Sequence, residues 1–184
     1  MIIPMEKKHV KQVAELHYQY INSLLRDLGK RMCFIFYENA LKSDNNFGYV
    51  YIEDSKVLGF IFGTKDNSQL FRNWRIRLEI LFALLKRPYL IKKLLSHLRN
   101  KFPPSAERCY AAVDVSCRRK GVALKLYVAL NQGFRERGII YFEDSVDADN
   151  VNSLALQQLL GAKIKCEFVE HGVRRYRLYT KLSL

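Results

Sequence analysis

Between Ala112 and Ala123 the sequence commits to a strand, a basic loop and a helix in immediate succession: Ala112-Val113-Asp114-Val115-Ser116-Cys117-Arg118-Arg119-Lys120-Gly121-Val122-Ala123. Upstream, residues 109–115 are apolar apart from Asp114, the pattern of a strand covered on both faces. Downstream, residues 120–137 place Ala123, Leu124, Leu126, Tyr127, Leu130 and Phe134 on one helical stripe, and Gly138 ends it. A strand feeding a helix that must bury such a stripe calls for a layered α/β domain. The first amides of that helix have no internal partners and, with the positive end of the helix dipole, form a seat for a pyrophosphate. Gly121 and Ala123 keep bulk away, while Arg118, Arg119 and Lys120 add charge. The spacing is neither a dinucleotide fingerprint nor a Walker loop.

The remaining elements follow from periodicity, after a short first strand at Ile2-Ile3. Residues 6–21 put Val10, Val13, Ala14, His17 and Ile21 at helical spacing, and residues 29–41 do the same with Met32, Ile35, Phe36 and Ala40. Residues 47–52 and 57–63 read as a β-hairpin turning at Asp54-Ser55-Lys56. Residues 69–101 form a helical hairpin broken near Arg87-Pro88, because proline suits a helix start and not its interior. A strand at 139–146, a helix at 150–160 stopped by Gly161, and a hairpin of 162–169 with 173–181 across Glu170-His171-Gly172 complete the chain. This order predicts a mixed central sheet flanked by helices, in one domain over residues 1–184 with no repeat and no linker.

Charge is uneven. The chain carries 31 Lys and Arg against 18 Asp and Glu, a net +13. Residues 69–101 alone hold Arg72, Arg75, Arg77, Lys86, Arg87, Lys92, Lys93, Arg99 and Lys101 against one acid, Glu79. Nucleic acid, an anionic membrane surface or a phosphorylated ligand each suits such a segment. With 49% hydrophobic residues and only 9 Gly and 4 Pro, a disordered or collagen-like chain is excluded. Apolar runs such as residues 80–85 fall far short of the roughly 20 residues a membrane helix needs. The N-terminus lacks the features of a signal peptide, so a cytoplasmic protein is expected. Cys33, Cys109, Cys117 and Cys166 form no Cys-x-x-Cys pair and the four His are scattered, so neither a metal site nor a disulfide framework is expected.

The basic loop resembles the acetyl-CoA loop of the GCN5-related N-acetyltransferase (GNAT) superfamily, Gln/Arg-x-x-Gly-x-Gly/Ala, with Arg118, Gly121 and Ala123 in the defined positions. A second family pattern, Asn-x-x-Ala-x-x-x-Tyr-x-x-x-Gly-Phe, is similar to Asn150, Ser153, Gln157, Gly161 and Ala162, with three side chains changed. The element order resembles the GNAT fold with residues 69–104 as a basic helical-hairpin insertion between the third and fourth strands. Leu16-His17, Leu28-Gly29 and Phe36-Tyr37 resemble a bacterial subgroup associated with cell-surface sugar biosynthesis.

The resemblance implies an acetyl-CoA-dependent N-acetyltransferase acting by direct transfer in a ternary complex on a small amine, such as an amino sugar. It implies that the fourth and fifth strands splay apart around the pantetheine arm. Val113 and Val115 would offer it main-chain groups, and the amides of Arg118, Arg119, Lys120, Gly121, Val122 and Ala123 would hold the pyrophosphate. Asn150 and Ser153 would contact the cofactor, although an Asn at that place equally caps a helix. A base must deprotonate the amine and the departing thiolate must be stabilised. Glu107 is the first choice for the base, with Glu143 and Asp144 as rivals, while Asp114 shapes the strand-to-loop turn. Gln157 stands where the family carries its acidic Tyr and cannot supply a proton at neutral pH. Either Tyr127, Tyr141 or Ser153 replaces it, or the thiolate leaves with hydrogen-bond help from Gln157. Cys117 reads as a small buried residue.

Residues 69–101 are expected to pack on the sheet with a solvated cationic face; a cap over the acceptor pocket and a peripheral contact with anionic membrane are the sharper readings. A basic nucleic-acid-binding module is the competing function, although no signature of a specific nucleic-acid reader is present. A GNAT domain that binds acetyl-CoA without turnover is a third reading. Monomer and homodimer stay open.

Overall fold

The computed structural model describes residues 1–99 and 102–183, so Lys101, counted in the basic segment, lies outside the described residues. Among these, one mixed sheet is built from β1 (Ile2–Pro4), β2 (Asn46–Glu53), β3 (Lys56–Thr64), β4 (Glu107–Val113), β5 (Tyr141–Asp147), β6 (Ala162–Glu170) and β7 (Val173–Lys181). Its order is β1-β2-β3-β4-β5-β7-β6, antiparallel throughout except for the parallel pair β4 and β5. The helices are α1 (Val10–Tyr20), α2 (Leu24–Leu28), α3 (Lys30–Ala40), α4 (Trp74–Lys86), α5 (Leu90–Arg99), α6 (Val122–Glu136) and α7 (Val151–Leu159).

At its third strand the sheet is covered on both faces. In the central strand β3 every residue after Lys56 is buried. Phe60 and Phe62 point to one side, into a core with Val13 and Ala14 of α1 and Met32, Phe36 and Tyr37 of α3. Ile61 points to the other, where Phe47 and Phe142 meet Leu126, Leu130 and Phe134 of α6. Both hairpins close through two residues of positive φ, Asp54 (49°) and Ser55 (63°), and His171 (56°) and Gly172 (79°); such turns match the right-handed twist of the strands.

Several boundaries differ from the sequence reading, each for a local reason. The first helix begins at Val10 because His9 accepts the Glu6 amide at 3.0 Å through Nδ1, closing a short 3₁₀ turn ahead of it. The unanticipated α2 starts where Ser23 accepts the Arg26 amide at 3.2 Å, and its five residues are too few to show a period. β4 stops at Val113: Asp114 accepts the Ser116 amide at 3.0 Å and starts a 3₁₀ turn over Val115–Cys117. Val115 therefore opens a turn and does not extend the strand. β4 is also half-buried along most of its length, not covered on both faces, because β5 leaves its edge.

His17, expected on a buried stripe, is fully buried. Its Nδ1 lies 2.7 Å from the Tyr37 hydroxyl and its Nε2 2.7 Å from the Ser23 hydroxyl. Burial holds the imidazole down at about 3, against an ordinary 6.5. The unfolded chain takes up this proton below about pH 6.5 and the folded chain does not until about pH 3. The stability this site contributes is complete above pH 6.5 and falls by about 1.4 kcal/mol per pH unit below it, roughly 2 kcal/mol by pH 5. Urea unfolding between pH 7 and 4 should show that slope, and His17→Gln, with no proton to take, should flatten it. An equal slope in the variant would assign the acid sensitivity elsewhere.

Candidate active site at the parting of β4 and β5

β4 and β5 share one residue pair, Glu107 with Glu143, fixed by the Glu143 amide donating to the Ala106 carbonyl at 2.9 Å. Beyond it the ladder ends, and the edge of β4 away from β3 runs on to Val113 with no strand partner among the described residues. Main-chain groups left unpaired at such an edge are available to an extended ligand.

The basic loop stands at the open end. Gly121 caps α6 at φ 72°, a left-handed conformation strained for any residue with a Cβ. A Cβ there would meet nothing within 4 Å, so the approach to the helix N-terminus is clear. Arg118, Arg119 and Lys120 are exposed around it, whereas Val122 is buried and ties the helix start to the core. Arg119 is itself left-handed at φ 61°. The Arg118 side chain folds back, donating from Nε to the Val113 carbonyl at 3.4 Å and lying 5.3 Å over the Tyr20 ring. Tyr20 in turn donates to Asp114 at 3.0 Å, so α1 braces the loop.

At the closed end of the gap, two polar clusters lie on opposite faces of the sheet, since Glu143 and Asp144 are successive residues of β5. On the α6 face, Arg108 is buried and its guanidinium donates to Asp144 Oδ2 and, at 2.8 Å, to Gln157 Oε1. It stacks 4.4 Å over the Tyr127 ring. Gln157 Nε2 donates to Ser153 Oγ at 3.1 Å. Tyr127, Ser153 and Gln157, named separately from sequence, are thus gathered around one arginine. Burial pushes the Tyr127 phenol up, partly opposed by the Arg108 charge and the neighbouring Ser153. Burial likewise pushes the Asp144 carboxyl up against the pull of Arg108.

On the other face, Glu107 Oε2 accepts from Asn67 Nδ2 at 2.6 Å and from Arg177 at 3.2 Å. Arg177 also donates to Glu143 Oε2 at 2.8 Å and Ser145 Oγ at 3.1 Å. Glu143 Oε1 accepts from Tyr141 at 2.8 Å and from Lys165. Burial by itself would raise the Glu143 carboxyl, yet these donors hold it below the usual carboxylate range. Asn150 Oδ1 accepts the Ser153 amide at 3.2 Å and caps α7.

Sequence reasoning missed Arg108 and Arg177, the two cations that organise these clusters. A signal for Arg108 was present: a lone cation opening an apolar strand needs a buried anion, and Asp144 stands on the adjacent strand. Arg177 gave none, because its partners, Glu107, Glu143 and Ser145, come from two other strands.

No protein-family model matches the sequence, and no curated protein resembles it at a significant level. Solved structures do resemble it. yncA from Salmonella typhimurium, solved with its cofactor acetyl-CoA, aligns over 100% of this chain and 94% of its own at TM-score 0.68 and 14% identity. The ribosomal-protein-S18-alanine N-acetyltransferase of Escherichia coli aligns over 100% and 94% at TM-score 0.67 and 12% identity. An acetyltransferase of the GNAT family from Streptococcus pneumoniae aligns over 100% and 99% at TM-score 0.64 and 14% identity. Likeness at such identity speaks for architecture, and in architecture this chain has the GNAT acetyltransferase fold.

Proposed function

We propose that the chain is an acetyl-CoA-dependent N-acetyltransferase, a single domain over residues 1–184 that carries α4 and α5 as a basic insertion between the third and fourth strands. It transfers the acetyl group directly to a small amine, an amino sugar, in a ternary complex in the cytoplasm. One observation carries this reading: β4 and β5 part after a single residue pair, with the cation-lined N-terminus of α6 at the open end. That the superposed proteins bear acetyltransferase names, one of them with acetyl-CoA, supports it. The amino sugar rests on the resemblance of Leu16-His17, Leu28-Gly29 and Phe36-Tyr37 to the sugar-biosynthesis subgroup.

In this reading the main chain at Val113 and Val115 receives the pantetheine arm, and the amides from Arg119 to Ala123 hold the pyrophosphate, the Arg118 amide being engaged by the Val115 carbonyl at 3.3 Å. Asn150 acts by fixing the start of α7, which bears Ser153 and Gln157. Acetyl-CoA supplies an activated thioester. Glu107, aimed by Asn67 and Arg177, takes the proton of the amine. Glu143, held anionic by three donors, is the weaker base. Tyr127 keeps its proton at neutral pH and protonates the thiolate, while Gln157, anchored by Arg108, orients the leaving sulfur. Glu107 and Tyr127 stand on opposite faces of the sheet, on either side of the gap that would hold the thioester.

The test is thermal unfolding with and without acetyl-CoA, then turnover. Acetyl-CoA at about a hundred times its Kd should stabilise the chain by roughly 2.7 kcal/mol, a rise in Tm of about 5–10 °C for a chain of this size. Glu107→Gln should keep that shift and lose about a hundredfold or more in turnover of glucosamine. Stabilisation by a random oligonucleotide and not by acetyl-CoA would favour the nucleic-acid module, and a shift without turnover of any amine would favour an inactive cofactor-binding domain.

A further inference from the structure

The basic helical hairpin exposes the cations expected of it and, beside them, an apolar surface that the sequence reading does not anticipate. α4 carries two apolar stripes. One turns inward, with Ile76 buried and Ile80, Ala83 and Leu84 packed against the core. The other turns outward, where Trp74, Leu78, Leu81, Phe82 and Leu85 are 42–71% exposed. α5 repeats the arrangement: Leu90 is buried, and Ile91, Leu95 and Leu98 are 45–53% exposed. These are positions i, i+4, i+7 and i, i+4, i+7, i+8, i+11, so each set is a continuous ridge along its helix. Soluble monomers rarely leave so much contiguous apolar surface in water.

The charge around the ridges narrows what can cover them. Arg75, Arg77, Lys86, Lys92 and Arg99 are exposed beside the apolar residues. Between Trp74 and Arg99 the sequence holds one acid, Glu79, and Arg31 pairs with it at 3.3 Å. A second copy of this face would press the same cations against one another, which is unfavourable. Nor is the hairpin a loose flap: Lys93 pairs with Asp27 of α2 at 2.6 Å, and the His171 amide donates to Ser96 at 3.1 Å. Its apolar side stays turned outward while its other side is pinned to the body. Among the described residues no helix is long and apolar enough to cross a membrane.

We propose that the outer face of α4 and α5 docks on an anionic phospholipid surface, with Trp74, Phe82 and the leucines entering the boundary between headgroups and acyl chains and the flanking Arg and Lys meeting lipid phosphates. Apolar area and cationic attraction together give reversible binding to such a surface. This stands independently of the acyl-transfer reading, because it uses no residue of the β4–β5 gap.

Trp74 is the one tryptophan of the chain and lies in the proposed contact, so its fluorescence reports docking directly. Vesicles of equal parts phosphatidylglycerol and phosphatidylcholine should shift its emission to the blue and carry the protein down on sedimentation; pure phosphatidylcholine should do neither. Raising the salt should weaken binding, and Arg75→Ser with Arg77→Ser should weaken it roughly tenfold or more. Leu81→Glu with Phe82→Glu should abolish it while leaving Tm and the acetyl-CoA shift unchanged, since both side chains are exposed in the folded chain. Absence of binding to phosphatidylglycerol vesicles at low salt would overturn the proposal, as would undiminished binding by the double glutamate variant. A blue shift that grows with protein concentration in the absence of vesicles, together with dimers in sedimentation equilibrium, would overturn it in favour of a second copy.

Discussion

Arg108→Met should lower the unfolding free energy by about 3–5 kcal/mol, the usual cost of leaving one partner of a buried ion pair alone. Asp144 is buried with Arg108 as its pair, and its second oxygen, Oδ1, has no hydrogen-bond partner among the described residues. Without the guanidinium the carboxyl keeps its desolvation penalty and loses what offsets it; Gln157 loses its anchor and Tyr127 its stacked cation. Arg108→Met combined with Asp144→Leu should recover most of the loss, because apolar residues of similar volume can replace such a pair at little net cost. Urea unfolding of the two single variants and the double variant gives the coupling directly. A single-variant loss below about 1 kcal/mol would mean that the pair contributes little to the stability of the fold.

Gly121→Glu should reduce acetyl-CoA affinity by at least about a hundredfold without unfolding the protein. The side chain has room, with nothing within 4 Å of its Cβ, but the backbone at φ 72° is strained for it by about 1–2 kcal/mol. A carboxylate at a helix N-terminus returns up to about 1 kcal/mol through the helix dipole, so the net change in stability is small. The new anion then occupies the seat proposed for the pyrophosphate and repels what should bind there. Calorimetric titration with acetyl-CoA, beside a thermal melt of the variant alone, separates the two effects. Unchanged affinity with an intact fold would place the pyrophosphate elsewhere.

How much of this was legible in the sequence depended on how local its cause was. The strand-loop-helix at residues 112–123 could be read because glycine, arginine and the apolar period all act within a few residues of one another. The turn at Asp54-Ser55 and the break at Arg87-Pro88 were readable for the same reason. α2 was not: a serine cap and five residues are too short a signal. The end of β4 was placed two residues late, because the Asp114 side chain competes for a backbone amide that periodicity does not see. Glu107 and Arg108 are neighbours in sequence, yet their side chains pair with different partners, Arg177 and Asp144, which adjacency cannot show.

The sequence alone determined the element order apart from α2, the basic loop and the concentration of cations in residues 69–101, since each is written in neighbouring side chains. Only the tertiary structure decided that β4 and β5 part after one pair, that Arg108 gathers Tyr127, Asp144 and Gln157, and that α4 and α5 turn a second apolar ridge outward. These depend on which distant segments meet. A helix with apolar residues on two sides has no preferred inward face until the rest of the chain supplies one core, and the side left over is what remains for a partner.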